Sequence, residues 1–121
     1  KKDLIFTSRY QKPGGGSEDD DIVTSIGNFF FTLFGNLFFK LNISDILFTY
    51  ILGKTSSFKK MKLSRHDFRI CVELPIRAKR LKLQYLCIPS FERARIGGKK
   101  KVNPIKDGFL ILIEMIRLIF K

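Results

Sequence analysis

The residue types best suited to binding phosphate are concentrated between residues 92 and 101, whose sequence is ERARIGGKKK. Arginine guanidinium groups bind phosphate oxygens through paired hydrogen bonds, and lysine ammonium groups add point charge. The two adjacent glycines let the backbone approach a ligand that a Cβ would keep away. We therefore interpret Arg93, Arg95, Lys99 and Lys101 as candidate phosphate-binding residues. Their partner could be a nucleotide sugar, a lipid phosphate or a nucleic acid.

The charge of the whole chain supports an anionic partner. The 121 residues carry a net charge of +12, and 45% of them are hydrophobic, which is enough for one domain with a core. Residues 1–52 contain five Lys or Arg against six Asp or Glu, whereas residues 53–121 contain eighteen against five. The basic half predicts a polyanion, an anionic membrane or several bound phosphates. The alternative is that lysine only keeps the chain soluble.

Other residues with reactive side chains give weaker signals. His66 is the only histidine and has no acid or thiol at catalytic spacing, so a surface or helix-start role is favoured. Cys71 and Cys87 lack the paired spacing of a metal site and sit in apolar surroundings, which predicts free, buried thiols in a reducing cytoplasm. The segment Gly53-Lys54-Thr55 resembles the end of a phosphate-binding loop, but Phe48 stands where that motif needs its first glycine.

The elements that must position these residues begin with a short buried strand at residues 4–8, which Arg9 follows directly. A glycine-rich loop at residues 13–17 and an acidic run at residues 18–21 come next. The acids are expected in the first turn of a helix, where the helix dipole favours negative charge. Metal binding by the acidic run is the disfavoured alternative.

Residues 22–41 form the longest apolar segment of the chain. Its polar positions recur every three or four residues and would form one narrow stripe along a helix: Ser25, Asn28, Thr32, Asn36 and Lys40. Twenty helical residues are about 30 Å long, which would just cross a bilayer, but the continuous polar stripe argues against a span. We expect an amphipathic helix at the membrane surface or against a partner domain. A helix buried in a larger core is the alternative.

The second half of the chain predicts two helices around a strand. Residues 67–81 have a helical apolar face, and Pro75 should kink or interrupt this helix. Within it, Glu73 is spaced to pair with Arg77. A strand is expected at residues 83–88.

The last helix is predicted at residues 105–120, after Asn103 as its cap and Pro104 in its first turn. Most of its surface is apolar, which again suits a membrane interface or a hydrophobic partner.

Three segments, taken in order, resemble the C-terminal half of a family 2 glycosyltransferase of the dolichol- or polyprenyl-phosphate hexose synthase type. The first is FTSRY at residues 6–10 with the glycines after it, and the second is SDILFTY at residues 44–50. The third combines VELP at residues 72–75, Ile88-Pro89, and RIGGKKK at residues 95–101.

This resemblance implies an α/β fold of the GT-A (nucleotide-diphospho-sugar transferase) type, with residues 1–121 as its acceptor-side segment. An N-terminal nucleotide-binding half, carrying an Asp-x-Asp motif for a divalent Mg or Mn ion, would lie outside this chain. The complete enzyme would transfer a hexose from a nucleotide sugar to a polyprenyl-phosphate or glycan acceptor. It would work as a peripheral protein at the cytoplasmic face of the membrane. The segment alone is expected to be inactive.

The resemblance also assigns roles to individual residues. Asp45 matches the acid of the acceptor loop and would act as a base or orient one, although a simple turn residue is an equal alternative. Arg9 would lie near the acceptor phosphate or the diphosphate. Arg95 and Lys101 match the basic closing motif, and Arg93 and Lys99 are their neighbours. Lys100 stands where the family usually has serine.

Two other functions compete with the enzyme. The basic half could bind nucleic acid, but seven of the thirteen phenylalanines lie within residues 22–50, away from that half, so base stacking is poorly served and no nucleic acid is expected. A peripheral membrane protein without catalysis would use the apolar helices and the lysines on anionic lipid.

Overall fold

The computed structural model describes residues 2–99 and 103–121, which form a mixed α/β arrangement of strands and four helices. The elements in chain order are β1 (Leu4–Ser8), β2 (Gly16–Ser17), α1 (Ile22–Phe39), β3 (Leu52–Gly53), α2 (Thr55–Met61), α3 (Ile70–Arg80), β4 (Tyr85–Pro89), β5 (Phe91–Glu92) and α4 (Pro104–Ile119). The predicted strands and long helices are present with small shifts at their ends. Whether the arrangement belongs to the GT-A fold stays a prediction.

Strand β1 is the centre of the larger sheet, which has the order β3-β1-β4. It pairs antiparallel with β3 and parallel with β4, in a register that runs from Leu4 opposite Tyr85 to Ser8 opposite Pro89. Strands β2 and β5 form a separate parallel pair. Because parallel strands end at the same edge of a sheet, Arg9 after β1 lies beside the segment that follows β4, where the basic run begins.

The core packs β1 against the inner faces of the helices. Leu4 and Phe6 of β1 are almost fully buried. The buried residues of the helices include Met61, Val72, Ile76, Ala78, Ile111, Met115 and Leu118. Burial of these apolar side chains is the main stabilisation of the fold.

Helix α3 continues through Pro75, so the predicted interruption is wrong, and the alternative of a kink stays a prediction. A proline inside a helix removes one backbone hydrogen bond. Here Pro75 lies in the buried stretch of α3, where Val72, Leu74 and Ile76 are also buried, and tertiary packing keeps the helix continuous. The predicted pair within this helix is confirmed, since Nε of Arg77 lies 3.0 Å from Oε2 of Glu73.

Helix α1 buries its polar side and exposes its apolar side, which is the opposite of an ordinary surface helix. Asn28, Thr32 and Gly35 are its buried residues. Its exposed side chains are apolar: Ile22, Val23, Ile26, Phe29, Phe30, Leu33, Leu37 and Phe38. The part of the polar stripe from Asn28 to Asn36 thus faces the protein, which the periodicity did not predict, whereas Lys40 at its end is exposed.

Helix α4 begins as the sequence predicts. The side chain of Asn103 accepts hydrogen bonds from the backbone N–H groups of Ile105 at 3.1 Å and Lys106 at 3.2 Å, and Pro104 occupies the first turn. The helix contacts α1 and α3. Its outer face exposes apolar side chains, among them Ile105, Phe109, Ile113, Ile116 and Phe120.

Candidate functional site

An open cavity of about 810 Å³ lies where β1 ends. Its charged lining consists of Arg9, Arg95, Lys99, Asp19, Asp20, Asp67 and Glu92. Its apolar lining includes Leu47, Phe48, Phe68 and Ile111. The cavity therefore combines three cations and four carboxylates with an apolar wall, so its charged lining is not net positive. The cations and the apolar wall together suit a ligand that has a phosphate and an apolar or planar part.

Arg9 is the buried centre of this site. Its Nε and NH2 atoms donate to the two carboxylate oxygens of Asp45 at 2.8 and 2.9 Å, and its backbone N–H donates to Oδ2 of Asp45 at 2.9 Å. Its NH1 atom donates to Glu92 at 3.2 Å and lies 3.6 Å from Asp20. The ring of Phe48 stacks on the guanidinium, with 4.7 Å between Cζ and the ring centroid.

These contacts keep Arg9 charged. Burial by itself lowers the pKa of Arg9, but the hydrogen bonds and the charge of Asp45, with a smaller contribution from Asp20, raise the pKa above its usual value. A paired guanidinium of this kind has a fixed orientation as well as a fixed charge.

Asp45 contacts Arg9 rather than the cavity. Its side chain has no exposed surface, and it is absent from the residues that line the cavity. Both of its oxygens are engaged by Arg9. The role of Asp45 as a base, or as the residue that orients one, stays a prediction, and the group that Asp45 orients in this structure is Arg9.

The basic run is only partly gathered at the cavity. Arg95 and Lys99 line it, whereas Arg93 is exposed and does not. The NH2 atom of Arg95 lies 3.2 Å from Asp19, and the Arg95 side chain is 36% exposed. Lys101 lies outside the described residues. Phosphate binding by these residues stays a prediction.

The acidic run has two roles that sequence analysis missed. Asp21 caps α1 by accepting from the N–H of Thr24 at 2.7 Å, so the run lies before the helix rather than in its first turn. Glu18 and Asp19 accept from the backbone N–H groups of Ala94 at 3.1 Å and Arg95 at 3.3 Å. The acids thus hold the start of the basic run. The opposite charges of the two runs were the available signal, but nothing local indicates that they meet.

The carboxylates at the cavity do not fit a metal ion. Asp19, Asp20 and Glu92 are paired with arginines, and the described part of the chain contains no group of three His, Cys, Asp or Glu side chains arranged to hold a metal. The divalent ion implied by the resemblance, whose ligands are expected outside this chain, stays a prediction about the complete enzyme.

Comparison with models of known families, with curated proteins and with solved structures gave no match. The resemblance to family 2 glycosyltransferases therefore rests on the three sequence segments described above.

Two remaining sequence interpretations concern thiols and the loop at residue 53. Cys71 is buried, and burial raises the pKa of its thiol to about 12, so it behaves as an apolar core residue. Cys87 is a free thiol but only half-buried, so the prediction of a buried thiol is wrong at this position. Gly53 belongs to β3 and pairs with Leu4, and the Nζ atom of Lys54 lies 3.4 Å from Asp3. These residues have structural partners.

Proposed function

We propose that this chain is the acceptor-side segment of a family 2-like glycosyltransferase, and that its cavity binds the phosphate of a polyprenyl-phosphate acceptor or of the leaving nucleotide. The observation that supports this proposal most directly is the convergence of Arg9, Arg95 and Lys99 on one cavity. These residues come from distant parts of the chain, and the motifs that contain them belong to the same resemblance.

The three cations have different tasks in this proposal. Arg95 and Lys99 are the accessible ones and contact the phosphate. Arg9 already has its carboxylate partners, so its task is to offset the charge of Asp20 and Glu92 beside the ligand and to hold them in place. Sugar transfer from a nucleoside diphosphate expels a diphosphate, and preorganised cations stabilise the negative charge that grows on it.

A phosphate nucleophile agrees with the position of Asp45. An attacking hydroxyl needs a base within hydrogen-bond reach, whereas an ionised phosphate does not. Asp45 is fully engaged with Arg9, so its task in this proposal is to orient the arginine. The acceptor class favoured is therefore the lipid-linked phosphate rather than a saccharide hydroxyl.

The apolar outer faces of α1 and α4 support a location on the membrane. Among the described helices, α1 alone is long and apolar enough to cross a bilayer, and only 17% of its residues are buried in the fold. Because its polar stripe packs on the protein, we propose that α1 lies along the cytoplasmic face of the membrane instead of crossing it. The net charge of +12 would add attraction to anionic lipid.

A peripheral membrane protein without catalysis is the second candidate. The same exposed faces of α1 and α4 favour it, because they would bind lipid whether or not the cavity has a substrate. The two candidates differ in whether the cavity recognises phosphate.

The test measures binding of farnesyl phosphate, with farnesol as the matched ligand without the phosphate. The wild-type chain should bind farnesyl phosphate more tightly than farnesol. The Arg95→Ala chain should bind farnesyl phosphate about tenfold to a hundredfold more weakly than the wild type, which is the loss expected for one charged hydrogen bond. Lys60→Ala, which removes an exposed charge from α2 away from the cavity, is the control and should bind normally.

Equal affinity for farnesyl phosphate and farnesol, or equal binding by the Arg95→Ala and Lys60→Ala chains, would contradict the enzyme proposal. Binding to lipid vesicles that persists in that case would favour the second candidate.

A further inference from the structure

The buried polar stripe of α1 holds a loop that has no regular secondary structure. The amide of Asn36 donates to the carbonyl of Ile43 at 2.7 Å and accepts from its N–H at 3.1 Å. The hydroxyl of Thr32 accepts from the N–H of Ile46 at 3.1 Å, and Oδ1 of Asn28 accepts from the N–H of Leu47 at 2.9 Å. These bonds supply partners that a buried loop backbone would otherwise lack.

The loop held in this way carries Asp45. Ile43 and Ile46 are buried on either side of it, and Asp45 directs both oxygens at Arg9. Gly35 lets the loop approach α1 closely, because a Cβ on Gly35 would lie 3.1 Å from Cδ1 of Ile46. A continuous series of contacts therefore runs from α1 through the loop and Asp45 to the arginine at the cavity.

None of the described residues covers the opposite side of α1. Phe29, Phe30, Leu33 and Leu37 are between 51% and 69% exposed. No charged residue occurs within Ile22–Phe39, while the chain as a whole is strongly basic. An uncharged apolar helix face on a cationic protein is complementary to an anionic bilayer.

We propose that α1 couples bilayer docking to the phosphate site, with Asn28, Thr32 and Asn36 as positioning residues for the Asp45–Arg9 pair. This inference rests on the proposed function, because it requires both membrane docking and phosphate binding. Lipid on the outer face stabilises α1, and α1 in turn stabilises the loop. Coupling between two ligands is reciprocal. Vesicles therefore raise the affinity for phosphate, and phosphate raises the affinity for vesicles by the same factor.

The first experiment measures amide hydrogen exchange in the unchanged chain, free and bound to vesicles of phosphatidylcholine and phosphatidylglycerol in equal amounts. The amides of Ile43, Ile46 and Leu47 donate to α1 side chains, so their exchange should slow by about tenfold on the vesicles. The affinity for inorganic diphosphate, measured by calorimetry, should rise at the same time.

The second experiment compares Thr32→Val with Thr32→Ser. Valine keeps the shape of threonine but removes the acceptor for the N–H of Ile46, whereas serine keeps the hydroxyl. We expect Thr32→Val to exchange faster at Ile46, to bind diphosphate about tenfold more weakly and to lose the enhancement by vesicles. Its binding to vesicles should be unchanged, and Thr32→Ser should restore the affinity for diphosphate.

The outcomes separate this inference from the proposed function. The coupling is overturned if amide exchange is the same with and without vesicles, or if Thr32→Val binds diphosphate with normal affinity. The proposed function still stands in either case if the chain prefers farnesyl phosphate to farnesol. Failure of the unchanged chain to bind vesicles overturns the membrane location and the coupling together. The exchange experiment needs no variant, so a Thr32→Val chain that does not fold leaves the inference testable.

Discussion

At the residue scale, the pair of Arg9 and Asp45 is a buried ion pair held by three hydrogen bonds. A buried ion pair gains little net stability over well-packed apolar residues, but removing one partner leaves an uncompensated charge in the interior. Here the arginine is buried and Asp45 supplies its two shortest side-chain contacts. The pair fixes the charge at the cavity in position.

Replacing Asp45 should therefore weaken the whole fold. We expect Asp45→Ala to lower the free energy of unfolding by about 3–5 kcal/mol, measured by urea denaturation, because Arg9 stays buried without its main partner. Asp67→Ala is the matched control, since both oxygens of Asp67 also accept from one arginine, Arg69, but Asp67 is exposed. Similar losses in the two variants would contradict the central role of Asp45.

At the scale of single elements, the main feature is that α1 has a polar buried face and an apolar exposed face. A helix with an apolar surface would normally turn that surface toward the core. In α1 the buried positions hold asparagine, threonine and glycine because they serve the loop at residues 43–47, and the apolar positions remain for another partner. The two faces of α1 thus suit two different partners, the loop on one side and an apolar surface on the other.

The two glycines of α1 test this orientation. A Cβ on Gly35 would lie 3.0 Å from Cδ1 of Leu41 and 3.1 Å from Cδ1 of Ile46, whereas no atom of the described residues lies within 4 Å of one on Gly27. Gly35→Leu should lower the free energy of unfolding by about 1–3 kcal/mol through overpacking. Gly27→Leu should raise it by about 0.5–1 kcal/mol through helix propensity. Thermal unfolding checks both, and the reverse order would mean that α1 faces the other way.

At the scale of the whole molecule, two buried glutamates join separate elements. Glu73 of α3 accepts from the backbone N–H groups of Ser64 and Arg65 as well as from Arg77. Glu114 of α4 lies 2.7 Å from Arg65. The segment at residues 64–65 is thereby tied to both helices, directly before His66, Asp67 and Phe68 at the cavity.

These contacts predict how stability depends on pH. Burial raises the pKa of each glutamate, but hydrogen bonds and the neighbouring arginines outweigh it, so both pKa values lie below the usual 4.5. A carboxylate with a lowered folded pKa adds stability above its unfolded pKa and loses it as the pH falls through the folded value. The urea concentration at the unfolding midpoint should therefore be constant near neutral pH and should decrease when the pH is lowered below 4.5. Glu114→Gln should have a shallower fall, and an unchanged slope would contradict this account.

The sequence by itself determined the local features of this protein. The short apolar run predicted the strand at residues 4–8, and the polar periodicity predicted the helix over residues 22–41. The cap at Asn103 with the last helix, and the pair of Glu73 with Arg77, followed from residues close to each other in sequence. These features depend on neighbouring residues, whose spacing is fixed by helix and strand geometry.

Only the tertiary structure decided which distant groups meet. Arg9 binds Asp45 across 36 positions, and Asp19 meets Arg95 across 76. The stripe of α1 faces inward because the loop at residues 43–47 needs hydrogen-bond partners there. Periodicity shows which side chains share a face of a helix, but it does not show which face is turned toward the protein. The parallel register of β1 with β4 and the burial of the loop backbone set the rotation and the long-range pairs, and both are properties of the assembled fold.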